Sequence, residues 1–136
     1  MKRYFKIYVL FLLAPVLWVA CSSDDFPVDE DGLLITERAE AYVGNFELLG
    51  VDHLSVISGT PEIDTVQGTV KVNVFYGTDL RNLYPQFSLV TDAKLEPKIT
   101  GFVDFSDLAN PKTYTVISGN RQVRKDYQVL ITVLQP

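Results

Sequence analysis

The sequence predicts an all-β chain, an antiparallel β-sandwich, and three observations carry that reading. Two segments alternate apolar and polar residues with period two, turn-forming residues fall between short apolar runs at regular spacing, and no long amphipathic helical period interrupts them. Strands of that kind each have one apolar face, and two packed layers bury those faces together.

The first 20 residues are expected to be a signal peptide. Lys2, Arg3 and Lys6 give a positive start, and Ile7 to Ala20 form an uncharged apolar run of 14 residues interrupted by Pro15. A permanent span needs roughly 20 such residues, so the run suits a cleaved segment better. It ends at Cys21, the only cysteine of the chain. Leu17-Trp18-Val19-Ala20-Cys21 resembles the lipobox of bacterial lipoproteins, with Trp18 where a smaller aliphatic residue is commoner. The resemblance implies lipidation of Cys21, whose sulfur accepts a diacylglyceryl group while the small Ala20 leaves the preceding bond open to a peptidase. Acyl chains contribute ~0.8 kcal/mol per buried methylene, and several of them anchor a protein firmly to its membrane.

Residues 21–32 are then the lipidated cysteine and an acidic tether, since Ser22 to Gly32 offer too little apolar surface to order themselves. A flexible coil of 11 residues has a reach of roughly 18 Å. Ser22-Ser23-Asp24-Asp25 also resembles the acidic export signal of Bacteroides-type lipoproteins, which implies an outer-membrane protein facing the cell exterior; a merely solvated linker explains the same residues. Calcium is not expected here, because a tether lacks the fixed oxygen cage that this ion selects.

Residues 33–136 make one domain of about 100 residues, enough for a single core. With Lys2, Arg3 and Lys6 removed, nine basic residues stand against 17 acidic ones, a net charge of −8. Binding to a phosphate backbone depends on Lys and Arg, so no nucleic-acid partner is expected. With Cys21 lipidated, no thiol remains for a disulfide and stability must come from packing.

Within the domain the first strand candidate runs through Tyr42, Phe46 and Leu48. In the second, Val70, Val72, Val74 and Tyr76 alternate with Lys71, Asn73 and Phe75. The third carries Phe87 and Leu89, and the fourth Tyr114 and Val116. In the last, Tyr127, Val129, Ile131 and Val133 alternate with Gln128, Leu130 and Thr132. Turns are expected at Gly50-Val51-Asp52, Ser58-Gly59-Thr60-Pro61, Gly77-Thr78-Asp79, Thr91-Asp92 and Asn110-Pro111. Ser118-Gly119-Asn120 offers residues tolerant of positive φ between two β-rich runs, which predicts a terminal hairpin. Its long second strand, apolar on one face, belongs inside a sheet rather than at an aggregation-prone edge.

Gly77-Thr78-Asp79-Leu80, Leu83-Tyr84-Pro85, Ala93-Lys94-Leu95-Glu96-Pro97, Val103-Asp104-Phe105-Ser106, Tyr114-Thr115-Val116 and Tyr127-Gln128-Val129 together resemble the immunoglobulin-like domain of Bacteroides-type surface lipoproteins. The resemblance covers about residues 40 to 134 and implies an immunoglobulin-like β-sandwich of about seven strands, usually found beside glycan-binding or other surface domains. Its motifs are structural and transfer no site residues. Asp79 is expected to accept bonds from nearby amides while Leu80 and Leu83 fill the core, and Asp104 and Ser106 to satisfy a bent backbone that Phe105 anchors.

Catalytic patterns are sparse, and the protein is expected not to be an enzyme. His53 is the only histidine; a triad with Asp52 and Ser55 or Ser58 would need sequence neighbours to meet in a geometry they rarely reach, so His53 reads as a solvated turn residue. One histidine and no free thiol make zinc improbable, and neither a cofactor nor a metal is expected. Asp104 and Asp107 are the carboxylate pair to consider for glycoside hydrolysis, with capping as their expected role.

Binding is left as the expected mode of action. One partner is the membrane, through the lipid at Cys21; the other is an outer-membrane protein on which the domain docks, or a surface polysaccharide. Phe75 and Tyr84 are the candidate binding residues, Phe75 because it alternates with core valines and Tyr84 because it sits beside Pro85 in an expected loop. For docking, Phe75 and Leu130 would form an uncovered sheet face, and Arg121, Arg124 and Lys125 would meet an acidic partner.

Overall fold

The computed structural model describes residues 26–136; Cys21 and the expected signal segment lie outside them. Seven strands occur among the described residues, and no helix: β1 (Val43–Leu49), β2 (Glu62–Asp64), β3 (Thr69–Val74), β4 (Tyr84–Leu89), β5 (Lys94–Glu96), β6 (Lys112–Ile117) and β7 (Arg124–Val133). β1 and β4 pair as a two-stranded sheet, and β2-β3-β7-β6-β5 form a five-stranded one. The fold is an all-β sandwich.

Period two explains which residues enter the core. Val70, Val72 and Val74 of β3, Tyr114 and Val116 of β6, and Tyr127 and Val129 of β7 are buried, as are Val43, Phe46 and Leu48 of β1. The spacing from Val43 to Phe46 breaks the alternation, and a register shift between Val43 and Asn45 repairs it by inserting one extra residue against β4. Phe46 meets Phe87 edge-on at 4.8 Å between centroids, and Phe87 meets Tyr114 at 5.0 Å, so one line of rings crosses from the small sheet to the large. The Tyr127 hydroxyl accepts the Val43 N–H at 3.4 Å, a second link between the layers.

β6 and β7 form the expected terminal hairpin, and β7 lies in the interior of its sheet between β3 and β6. Two details differ from expectation. β7 pairs with β3 in parallel, Thr69 opposite Gln128 through Val74 opposite Val133, so the large sheet is mixed. Periodicity reports which face a residue takes, not the direction of the neighbouring strand. Within the hairpin connection the positive φ falls on Arg121, at 62°, and Gly119 is needed for another reason. A Cβ there would collide with the Thr36 hydroxyl, because the Thr36 N–H bonds the Gly119 carbonyl at 2.9 Å.

β3 stops at Val74, leaving Phe75 and Tyr76 outside the strand and exposed, so Tyr76 is not the core residue that its alternation predicts. Tyr42 likewise precedes β1 and is exposed. The Gly77 turn has φ 83°, and Asp79 accepts the Arg81 N–H and the Asn82 side-chain amide, both at 3.0 Å, above a fully buried Leu83. Asp104 accepts the Ser106 N–H at 2.8 Å, with Phe105 buried between them.

Residues 35–136 form one compact unit, and residues 26–34 are described by themselves. In the latter, Asp29 accepts the N–H groups of Asp31 at 2.9 Å and Leu33 at 3.0 Å, Val28 bridges Leu34, and Gly32 takes φ 78°. The described part of the acidic stretch therefore contains a local turn that its composition does not reveal.

Candidate functional site

Exposed rings gather at one end of the domain. β3 and β7 run in the same direction and finish there at Val74 and Val133, β1 finishes there at Leu49, and β4 begins there at Tyr84. Ile57 bridges Val74 and Ser55 bridges Leu49, which ties the turn after β1 to the same end.

Three separate segments bring His53, Tyr84 and Phe102 together. Leu83 and Val103 exchange backbone bonds of 3.1 and 2.7 Å, with the Leu83 side chain in the core. Their neighbours Tyr84 and Phe102 therefore face the opposite way as a cross-strand pair. The rings meet edge-to-face, 6.1 Å between centroids and 86° between planes. Leu49 pairs with Tyr84, and the turn that follows Leu49 suspends His53 over both rings. That turn closes through the Gly50 N–H to the Leu54 carbonyl and the His53 N–H to the Gly50 carbonyl, both 2.9 Å, with φ 62° at His53. His53 lies 6.4 Å from Tyr84 and 6.0 Å from Phe102.

Phe102 is 46% exposed and Tyr84 half-buried. Behind Phe102 opens a shallow cleft of about 200 Å³, lined by residues 97–103 and by Lys112, Thr113 and Tyr114. Of the expected binding residues, Tyr84 stands in this cluster, at the start of β4 rather than in a loop. Phe75 is 51% exposed but takes no part in the triangle. Sequence reasoning passed over Phe102 and treated His53 as a solvated turn residue. His53 is exposed, yet it closes an aromatic group; the one available signal was the apolar residue pair Phe102-Val103 just before the Asp-Phe-Ser corner.

Side chains weighed for hydrolysis have hydrogen-bond partners other than one another. The Asp52 carboxylate accepts the Leu54 N–H at 3.1 Å, and the Ser55 hydroxyl donates to Glu47 at 3.3 Å, so neither turns to His53. Asp107 accepts the Asn110 side-chain amide at 3.0 Å. The Asn82 amide and the Arg81 N–H hold Asp79 below the usual carboxylate range, and the Ser106 hydroxyl and N–H do the same for Asp104. Asp64 moves in the same direction, held by the N–H groups of Gln67 and Val66.

The basic residues expected to meet a partner are engaged within the domain. Arg121 donates to the carbonyls of Ser118 at 3.0 Å, Gly119 at 3.1 Å and Asp92 at 3.3 Å. Arg124 pairs with Glu96 at 2.7 Å, and Lys125 donates to the Val66 carbonyl at 2.9 Å. Leu130 is partly buried beside Leu108 and Pro111 in a crevice of about 70 Å³.

The molecule is thus an all-β sandwich domain with rings concentrated at one end. Residues 53–131, more than half of the chain, match the family described as SGBP, N-terminal, and the chain belongs to that family. Among solved structures, it is similar to a Bacteroides thetaiotaomicron protein provisionally named a glycoside hydrolase (28% identity, TM-score 0.59, 72% of this chain covered). A DUF4623 family protein from Bacteroides eggerthii (19% identity, TM-score 0.53, 71% of this chain) and a provisionally named secreted protein from Bacteroides fragilis (15%, 0.50, 71%) share the fold. This chain spans 26% of the first protein, 22% of the second and 97% of the third. No curated protein matches. Family and neighbours identify a domain of the Bacteroides surface-protein kind.

Proposed function

We propose that the protein is a non-catalytic cell-surface module, anchored in the outer membrane by lipid at Cys21, and that its aromatic end contacts polysaccharide. The observation that carries this reading is the His53–Tyr84–Phe102 triangle, with centroids 6.0 to 6.4 Å apart and Phe102 half exposed. The apolar C–H face of a pyranose packs on an aromatic face, and rings fixed by cross-strand pairing lose little freedom when a sugar arrives. The family takes its name from glycan-binding surface proteins, which supports the same class of ligand. The immunoglobulin-like description of the sandwich belongs to this proposal as its finer form.

The direction of the Asp104 shift runs against its serving as the acid of a glycosidase pair. Glycoside hydrolysis needs one carboxylic acid kept protonated by a raised pKa beside a second, ionised carboxylate. Asp64, Asp79 and Asp104 are all moved down.

Affinity electrophoresis in polysaccharide-containing gels tests the glycan contact. Wild-type protein is expected to be retarded and Phe102→Ala to run freely; unchanged mobility of the wild type across host-relevant polysaccharides would sink the proposal. Palmitate labelling that survives Cys21→Ser would remove the anchor.

Docking on an outer-membrane protein is a second reading. It is favoured by Val51, Leu54, Phe75 and Tyr76, which are all exposed at the same end outside the ring triangle. Cross-linking on intact cells that captures no protein neighbour would eliminate it.

A further inference from the structure

Backbone bonds fix the place where the chain enters the compact unit. The Thr36 N–H donates to the Gly119 carbonyl at 2.9 Å and the Arg38 carbonyl accepts the Asn120 N–H at 2.8 Å, so residues 36–38 lie along the β6–β7 connection as a short brace. Arg38 adds an ion pair to Asp92 at 3.4 Å, just beyond the end of β4. The fit is close, since a Cβ at Gly119 would meet Asp92 at 3.0 Å and Arg38 at 3.3 Å. From this brace the chain passes into β1, whose seven residues cover about 20 Å at the usual rise and finish at the end that carries Tyr84, Phe102 and His53. The entry point and the rings therefore lie at opposite ends of one strand. Those ends are joined rigidly, because β1 is bonded along its length to β4 and buries Val43, Phe46 and Leu48.

We infer that the protein stands on its β6–β7 end and presents the rings away from the outer membrane, so that the polysaccharide it takes is a soluble polymer arriving from the medium and not the membrane's own glycolipid. This rests on the lipid at Cys21 and the glycan contact proposed above, and adds the side from which the ligand comes. The length of the tether is the physical reason. Six residues separate Cys21 from Val28, and a coil of that length reaches roughly 14 Å. Val28 then bridges Leu34, which takes the intervening turn out of the path, and Thr36 follows two positions later. To bring the rings down to the headgroups the path would have to run the length of β1 beside the domain, further than that reach, and drawing a coil beyond its ordinary span costs chain entropy. A sugar in the membrane plane is therefore met last, and a polymer approaching from outside is met first.

The lipoprotein is reconstituted into vesicles of phosphatidylethanolamine and phosphatidylglycerol whose headgroups carry an energy acceptor. A donor dye is placed at Gln122→Cys in the β6–β7 connection or at Tyr76→Cys just beyond β3, both exposed positions, and the lipidated Cys21 takes no dye. With melting curves like that of the wild type, transfer is expected to be several times more efficient from Gln122→Cys than from Tyr76→Cys. Soluble starch and chondroitin sulfate, one neutral and one charged, are then offered to the wild type in vesicles and in detergent micelles. Equal affinity in both settings is expected, undiminished when lipopolysaccharide is added to the anchoring vesicle. Equal or reversed transfer, or capture that anchoring or lipopolysaccharide suppresses, overturns the inference and leaves the glycan contact standing. Capture of neither polymer in either setting overturns the glycan reading and with it the ligand assigned here. Protein that fails to float with the vesicles removes the anchor and the inference together.

Discussion

At the end of the sandwich where β6 turns into β7, polar side chains are directed inward to the protein's own backbone. Arg121 serves three carbonyls, the fully buried Ser118 hydroxyl accepts the Val123 N–H at 3.0 Å, and Lys125 reaches the Val66 carbonyl. Gly68 belongs to the same end, where its carbonyl accepts the Gln128 N–H at 2.9 Å. At the other end, Tyr84, Phe102 and His53 contact one another and leave ring surface to solvent. The difference separates two uses of loop residues. In the first set each side chain answers a backbone donor or acceptor, part-buried for Arg121 and Ser118 and exposed for Lys125, so removal of Arg121 or Ser118 is felt as lost stability; in the second the rings satisfy no backbone group, so their removal is felt in what they touch from outside.

The largest effect that would test this division comes from Tyr127→Ala. It empties a fully buried ring site and deprives the Val43 N–H of its acceptor, and a loss of about 3–5 kcal/mol in urea denaturation is expected. Gly68→Ala follows. Its φ of 74° disfavours a side chain, and the new Cβ would run into the Asp126 carbonyl, so a loss of about 2–4 kcal/mol is expected. Phe102→Ala, at the other end, is expected to cost at most about 1 kcal/mol, because the ring is only half buried. A cost as large as that of Tyr127→Ala would make Phe102 a core residue and erase the distinction. The smallest effect concerns acid. Asp64, Asp79 and Asp104 have folded pKa values below their unfolded ones, so the unfolded chain binds protons first as pH falls. Their contribution is complete above the ordinary value of about 3.9 and disappears as pH drops through the lowered values. Replacing all three with Asn should flatten melting temperature against pH in that acidic window, and an unchanged slope would remove these carboxylates from the account.

Much of the sandwich was legible in sequence because the alternation in β3, β6 and β7 follows directly from one buried face. β2 and β5 were not, since Glu62-Ile63-Asp64 and Lys94-Leu95-Glu96 each carry one apolar residue and contain no period. The five candidate strands also left the bulge in β1 unseen, although Val43, Phe46 and Leu48 violate strict alternation in a way that only an inserted residue allows. Tyr84 was found for an imperfect reason, as a loop residue. Its orientation is set by the Leu83–Val103 bridge, which joins residues too far apart for a local pattern to relate. The same distance hid Phe102. For the Arg121, Arg124 and Lys125 group, the sequence displayed the charges but not the carbonyls and the carboxylate that engage them.

The parallel pair has a bearing on how the chain reaches this shape. β6 and β7 meet through a short connection, whereas Thr69 and Gln128, which face each other across β3 and β7, are 59 positions apart. Closing so long a loop costs more chain entropy than forming a hairpin, so the β6–β7 hairpin is expected to assemble early and the β3–β7 seam later. Until that seam closes, Val70, Val72 and Val74 have no neighbouring strand on the β7 side, and the long apolar face of β7 has an open edge. Sequence changes in β3 that scarcely alter the finished molecule therefore have a distinct route to harm, by lengthening the time during which that edge is available to other chains.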